Sequence, residues 1–322
     1  MKNRLYSTMS AFYQEISEII KKRNDIVILD TDITTSNDPC YIDKLFKMGN
    51  AEQNMMSIAG GIASTQKIIP FAITLASFES KKVCQQISTS IAPSKLNVKI
   101  VGLLGGASAC NPEIIYHSFE DIANMRSIPN MTIIIPSDAI EMKKAIRACI
   151  KYDGPVYLRC IFHDTPVIFG KDYLFKWGKG VILRNGKDVT IVSTGIMASQ
   201  AKIATNILVN KGIDVNLLHL HTIKPIDKDI ILKAAIKTEC IVTVENHSII
   251  GGLGSAVSEL LSENTPRLIK RIGIEDVFVK SGSLKDLFCK YGLTYTNIVT
   301  QVEDLLLKKR KIFFQNKLLV KS

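Results

Sequence analysis

The sequence contains no apolar run long enough to cross a membrane, and its first residues lack the uninterrupted apolar stretch of a signal peptide. Its seven cysteines include no Cys-x-x-Cys pair, so neither a disulfide framework nor a zinc site is indicated. Low-complexity segments and internal repeats are absent as well. We therefore expect a globular cytoplasmic protein, without a membrane partner, whose thiols are reduced and mostly buried.

Charge is plentiful, and the formal net charge is +11. The basic residues are scattered and form no motif interleaved with aromatic residues, so the sequence does not predict a nucleic-acid partner. One basic cluster stands near the carboxyl end, Lys308 to Lys311, followed by three apolar residues. It fits either a solvated helix end or a tail that docks on a partner or an acidic surface.

With 322 residues, 46% of them hydrophobic, the chain can build one large or two medium cores. Short, nearly continuous β-branched runs alternate with helical stretches, as in parallel sheets covered by helices on both faces. These runs are 26–29, 98–101, 131–135, 156–158, 189–192, 215–218, 241–244 and 269–272. We predict two α/β domains, 1–168 and 188–322, joined by a linker at 169–187 that is rich in glycine and mixed charge.

Three short segments offer candidate functional side chains. Glu52 stands among Gly, Ala and Met where a strand edge turns into a small-residue helix, a partly buried setting that suits proton transfer. Alternatively, it satisfies backbone N–H groups at the helix start. The ring of Phe78 fits either stacking on a flat ligand or the core. Asp32 and Ser36 follow the first strand, where ligands bind in parallel sheets, although turn and capping roles compete.

Six sequence blocks spread in order over nearly the whole chain carry a family resemblance: 50–56, 93–101, 120–131, 153–159, 221–225 and 245–256. In these blocks the chain resembles the C-terminal half of transketolase, in the split form where two subunits make one enzyme. The resemblance implies a pyrimidine-binding domain followed by a transketolase C-terminal domain. It also implies an active site between subunits that holds thiamine diphosphate and transfers a two-carbon ketol or acyl unit to an aldehyde or ketone.

The resemblance also assigns roles to residues of the cofactor site. It implies that Glu52 hydrogen-bonds the ring nitrogen of the aminopyrimidine and helps to activate the cofactor, while Phe78 stacks on the pyrimidine. Asp32 would lie near the cofactor, and Gln86 matches a family glutamine assigned to the same site.

For substrate, Ser36 and Arg159 match family residues that touch phosphate, and a fork of donors suits phosphate oxygens. A surface ion pair is the alternative for Arg159.

Other positions depart from the family pattern. Where members usually carry the Asp and His that handle sugar hydroxyls, this chain has Pro112 and Tyr116, with His117 one place further on as a possible substitute. Met9, Leu104 and Lys82 replace further polar residues of the family, and Gln85 with Gln86 replaces the usual Asp-Gln. Each lost charged hydrogen bond is worth roughly 1.5–3 kcal/mol.

The cofactor residues are thus kept while most of the sugar-phosphate contacts are lost. This pattern predicts a donor or acceptor different from the usual ones, with Tyr116 as a further candidate substrate contact and His117 as a catalytic one. Two alternatives stay open. One is the β subunit of a 2-oxoacid decarboxylating enzyme, and the other is a non-catalytic assembly subunit.

The chain lacks the Gly-Asp-Gly…Asn-Asn motif that holds the cofactor's diphosphate in this superfamily, and it shows no other oxygen-rich magnesium cage. The resemblance implies an N-terminal subunit that carries this domain with Mg²⁺ or Ca²⁺, in a heterotetramer with two copies of each chain. The run from Gly251 to Gly254 has the wrong spacing for a dinucleotide fingerprint. We interpret it as structural, with Glu245 and His247 as interface or core polar groups.

Overall fold

The computed structural model describes residues 5–32, 44–107 and 118–319. The strands are β1 (Leu5–Ser7), β2 (Ile26–Asp30), β3 (Leu45–Lys47), β4 (Ile69–Leu75), β5 (Lys99–Leu103), β6 (Thr132–Ile134), β7 (Val156–Arg159), β8 (Asp164–Pro166), β9 (Val181–Arg184), β10 (Val189–Ser193), β11 (Val215–His219), β12 (Thr222–Lys224), β13 (Cys240–Ser248) and β14 (Leu268–Ile274). The helices are α1 (Thr8–Ile20), α2 (Glu52–Ser64), α3 (Ala76–Lys81), α4 (Cys84–Gln86), a π-helical turn (Ile87–Ile91), α5 (Asp121–Ser127), α6 (Ala139–Lys151), α7 (Met197–Asn210), α8 (Lys228–Thr238), α9 (Leu253–Asn264), α10 (Leu284–Lys290) and α11 (Tyr295–Leu319). Among these described helices, none is both long and apolar enough to span a bilayer.

The first half of the chain forms most of a seven-stranded sheet with the order β12-β6-β7-β5-β4-β2-β3. All neighbouring strands run parallel except β12, which pairs antiparallel with β6 at one edge. Every residue of β4 and β5 is buried, because helices cover both faces of the sheet. Since β12 comes from the second half of the chain, this edge strand joins the two halves.

The second half forms a five-stranded sheet with the order β14-β13-β10-β11-β9. Its strands are parallel apart from β9, which pairs antiparallel with β11. The predicted fold class, two mostly parallel α/β domains, is confirmed. Strand β9 lies inside the segment predicted as a linker, so part of that segment belongs to the second sheet. The predicted boundaries at 168 and 188 stay a prediction.

The basic cluster Lys308 to Lys311 lies within α11. The Lys309 ammonium donates to the Thr238 carbonyl at 2.9 Å and pairs with Glu239 at 3.1 Å. The cluster is thus part of a helix that packs on the second domain through this lysine.

The order of the first sheet decides where the candidate side chains meet. Strands β4, β2 and β3 are neighbours and run parallel, so their carboxyl ends share one edge. Asp32 follows β2, α2 begins with Glu52 after β3, and α3 with Phe78 follows β4 directly. Ligands bind at this edge in open parallel sheets, which makes it the candidate site.

Candidate functional site

Glu52 is the first residue of α2, and its side chain is only 4% exposed. Its Oε2 atom lies 3.5 Å from the Lys82 ammonium. Its Oε1 atom is buried and has no hydrogen-bond partner in the described structure. The helix-start alternative receives no support, because no described backbone N–H donates to this carboxylate. An unpaired buried acceptor costs about 1–3 kcal/mol, so a bound donor at this atom would stabilise it.

Phe78 lies in the short helix after β4, and its partly buried ring packs against the core of the first domain. The Lys82 ammonium lies over this ring, 3.9 Å from the centroid. The same ammonium contacts Glu52, so one cation connects the predicted acid and the predicted stacking ring. The Gln53 side chain donates to the Lys82 carbonyl at 2.9 Å and fixes the start of α2 against this segment. The structure therefore brings Glu52 and Phe78 together.

Asp32 and Gln86 are the other two predicted cofactor residues. Asp32 is exposed, with a φ of 58°, a left-handed conformation that aspartate tolerates better than most residues. Gln86 ends α4, and its side-chain oxygen is buried without a partner among the described residues. Their cofactor roles stay predictions.

The predicted substrate contacts Ser36 and Tyr116 and the predicted catalytic residue His117 lie outside the described residues, as does Pro112.

Arg159, predicted to bind substrate phosphate, ends β7 and is 2% exposed. Its Nε and Nη2 atoms each donate to the Asp121 carboxylate at 2.8 Å. Nη1 donates to the Asn246 carbonyl at 2.9 Å and Nη2 to the Ser118 carbonyl at 3.0 Å. Because guanidinium has five N–H groups, these four hydrogen bonds leave at most one for a ligand. Arg159 does form an ion pair, but the pair lies in the interior and not at the surface. The role of Arg159 in binding substrate phosphate stays a prediction.

Glu245 and His247 are core polar groups. Both Glu245 oxygens accept from N–H groups at the start of α9, from Leu253 at 2.7 Å and Gly254 at 2.8 Å. Burial nevertheless raises the pKa of Glu245 to about 7. A Cβ at Gly252 would collide with Glu245 Oε2, so this glycine permits the cap. Burial lowers the pKa of His247 to about 4, which favours its neutral form.

The neutral His247 ring joins the two domains. Its Nδ1 contacts the Ser248 carbonyl at 2.7 Å, and its Nε2 accepts from the Ala123 N–H of α5 at 3.3 Å.

A buried acid–imidazole group escaped the sequence analysis. Glu141 in α6 contacts His219 Nε2 at 2.8 Å and accepts from the Tyr173 hydroxyl at 2.8 Å. Burial opposes ionisation of Glu141, but His219, the neighbouring His221 and the Ser137 N–H together lower its pKa to about 2. The group connects the first domain, the predicted linker and the second domain. No local motif announces it, because its members are far apart in sequence and meet only across the domain seam.

Metal ligation finds no support in the part of the chain that the structure describes, where no group of His, Cys, Asp or Glu could hold an ion.

Comparison with known proteins bears on both domains. Residues 5–161 match the family model described as transketolase, pyrimidine binding domain, and residues 178–298 match transketolase, C-terminal domain. A 6-deoxy-6-sulfo-D-fructose transketolase subunit of Clostridium sp. (strain MSTE9) is 38% identical over 91% of this chain and 92% of that protein. An apulose-4-phosphate transketolase subunit of Phocaeicola vulgatus is 35% identical over 91% of this chain and 95% of that protein. A solved structure titled split gene transketolase, inactive beta4 tetramer, superposes with a TM-score of 0.87 at 37% identity, over 94% of this chain and 98% of that chain.

Proposed function

The chain belongs to the transketolase family, and from this premise we propose that it is one subunit of a split, thiamine diphosphate-dependent transketolase. It supplies the pyrimidine-binding and C-terminal domains. A second subunit supplies the diphosphate-binding domain with Mg²⁺ or Ca²⁺, two copies of each chain assemble, and copies of this chain also contact one another. The complex transfers a two-carbon ketol or acyl unit to an aldehyde or ketone acceptor.

The observation that carries this proposal is the buried Glu52 Oε1 atom, which has no partner among the described residues. The aminopyrimidine of thiamine diphosphate fits a site with an unpaired carboxyl beside an aromatic ring, because it is flat and pairs with a carboxyl through its ring nitrogen. Phe78 offers a ring next to that carboxyl, and the Gln86 oxygen offers a second buried acceptor without a described partner. The described residues therefore fit the cofactor.

When bound, thiamine diphosphate supplies the carbon nucleophile that takes the two-carbon unit from the donor substrate. The chain's own residues prepare this chemistry. Glu52 holds a proton at the pyrimidine nitrogen from a site that little water reaches, which is a general acid–base role worth typically 10²- to 10⁴-fold in rate. Phe78 orients the pyrimidine through a ring contact worth about 0.5–1.5 kcal/mol beyond its buried area.

The surroundings favour a donor or acceptor with fewer polar groups than the usual sugar phosphates. Met9 and Leu104 stand where family members carry a cation and a histidine, and each is a partly buried apolar side chain that packs on the core of the first domain. Neither side chain gives a sugar hydroxyl or a phosphate the charged hydrogen bond of the family residue that it replaces. Two relatives are named for 6-deoxy-6-sulfo-D-fructose and for apulose-4-phosphate, and we propose an unusual ketose donor for this chain too.

The experiment is reconstitution with a partner subunit that carries the diphosphate domain. Thiamine diphosphate binding and donor-dependent signals are followed by absorbance and circular dichroism, with ketose phosphates, a sulfonated ketose and 2-oxoacids as donors. We expect the wild-type complex to give a ketose-dependent signal that falls at least about 100-fold in Glu52→Gln. Glu18→Gln, the same chemical change at an exposed position of α1, serves as the matched control and should keep the signal.

Other outcomes would redirect the proposal. Carbon dioxide release from a 2-oxoacid without ketose turnover would identify the 2-oxoacid β subunit instead. A stable complex that gives no signal with any donor would identify an assembly subunit.

A further inference from the structure

Lys82 touches both residues of the proposed cofactor site. Its ammonium lies 3.5 Å from Glu52 Oε2 and 3.9 Å from the centroid of the Phe78 ring. A pyrimidine that stacks on this ring face and reaches Glu52 would need the volume that the ammonium fills. The Lys82 ammonium and a bound pyrimidine ring therefore cannot occupy this position at the same time.

The backbone of Lys82 is fixed, while its side chain is free to move. Its N–H donates to the Phe78 carbonyl at 2.7 Å, and its carbonyl accepts from the Gln53 side chain at 2.9 Å. The side chain itself is 49% exposed, and its described contacts are the two site residues. The flexible four-carbon stem of lysine can swing into solvent without any movement of the helices.

The contacts of the ammonium are of the weak kind. A cation over an aromatic ring at an exposed site and an ion pair with one exposed partner each contribute little to stability. Such contacts hold a side chain in place when nothing competes, and a ligand that stacks and hydrogen-bonds can replace them. They also give the buried Glu52 carboxylate a counter-ion while no cofactor is bound.

We propose that Lys82 is a placeholder for the cofactor's pyrimidine ring: it pairs with Glu52 and covers Phe78 in the cofactor-free chain, and thiamine diphosphate displaces it. This inference rests on the proposed function. It assigns Lys82 a positioning role, because the lysine acts through Glu52 and Phe78. Cofactor binding breaks both contacts of the Lys82 ammonium, and their lost free energy is subtracted from the binding free energy. The lysine therefore weakens cofactor affinity while it stabilises the cofactor-free chain.

The test compares Lys82→Met, which keeps the stem and removes the charge, with wild type in the reconstituted complex. Calorimetric titration with thiamine diphosphate at saturating Mg²⁺ should give an affinity about three- to tenfold tighter for Lys82→Met. The thermal midpoint of the cofactor-free chain should fall in the same variant, since Glu52 loses its counter-ion. Opposite signs in these two measurements distinguish a placeholder from a residue that merely supports the fold.

Two further variants serve as controls. Lys82→Arg keeps a cation at the ring and should bind the cofactor within about twofold of wild type. Lys81→Met removes a neighbouring charge whose described ion-pair partner is Glu120, at 2.6 Å, instead of Glu52, and it should leave the affinity unchanged.

Equal or weaker cofactor affinity in Lys82→Met would overturn the inference. A wild-type complex that forms but binds no thiamine diphosphate would instead overturn the proposed function, so the two failures are distinguishable.

Discussion

The buried Arg159–Asp121 pair allows one prediction to be worked through in detail. Arg159→Met keeps the length of the side chain and removes its charge and all four of its hydrogen bonds. Asp121 is fully buried. Once Arg159 is replaced, the Tyr157 hydroxyl, at 2.6 Å, is the only side-chain donor to Asp121 that remains among those described. Since Asn246 belongs to β13, the substitution also breaks a contact between the two domains.

The magnitude follows from the environment of the pair. Removing one partner of a buried ion pair typically costs about 3–5 kcal/mol, because it leaves an uncompensated charge in the interior. Domains are stable by only about 5–15 kcal/mol, so Arg159→Met should lose a large fraction of the free energy of unfolding. Replacing both partners, in Arg159→Met with Asp121→Leu, should recover part of that loss, because no buried charge remains.

The assay is urea unfolding followed by circular dichroism for wild type, both single variants and the double variant. Arg159→Lys is the control, since it keeps the charge but loses the bidentate geometry, and it should fall between wild type and Arg159→Met. If unfolding occurs in two transitions, the loss should appear in the transition that separates the domains. A loss below about 1 kcal/mol in Arg159→Met, the range of exposed ion pairs, would refute the argument from burial.

Two other predictions concern the domain seam and the α9 cap. Burial lowers the pKa of His221 from 6.5 to about 4. Between pH 6.5 and pH 4 the unfolded chain therefore binds a proton at this residue that the folded chain does not. The free energy of unfolding should fall as the pH drops across this range, by up to about 3 kcal/mol for this residue. Urea midpoints across that range should depend less on pH in His221→Asn. His247, whose pKa burial also lowers to about 4, adds a slope of the same sign in every variant, and Glu245, whose pKa burial raises to about 7, adds a slope of the opposite sign. A slope that His221→Asn leaves unchanged would contradict the assignment. Gly252→Ala should cost about 1–3 kcal/mol because its Cβ collides with the carboxylate that caps α9. Gly170→Ala, where nothing lies within 4 Å of the added atom, should stay within about 0.5 kcal/mol, and equal thermal midpoints for the two variants would contradict the packing argument.

Local patterns were sufficient for much of the fold. All eight predicted strands are present, because a run of buried β-branched residues shows its structure within a few positions. Strand β4, a central strand whose every residue is buried, was not among the predicted runs. Pro70 stands inside it, and proline within a run ordinarily argues against a central strand.

Long-range pairing explains the other differences. Strand β9 occupies a segment that looked like a linker, and β12 leaves its own domain to pair with β6. Neither partner lies nearby in sequence, so no local period could indicate the pairing. The same holds for Glu141 and His219, which are separated by 78 positions and meet at 2.8 Å.

By itself, the sequence determined the family, the two-domain α/β architecture and the candidates Glu52 and Phe78, because motif residues and hydrophobic periods are properties of neighbouring positions. Only the tertiary structure decided what surrounds each side chain. It buried Arg159 against Asp121, left Glu52 Oε1 without a described partner, and placed the Lys82 ammonium between the acid and the ring. The physical reason is that burial and charge pairing depend on distances between atoms, and distances across a sheet edge or a domain seam arise only when the strands assemble.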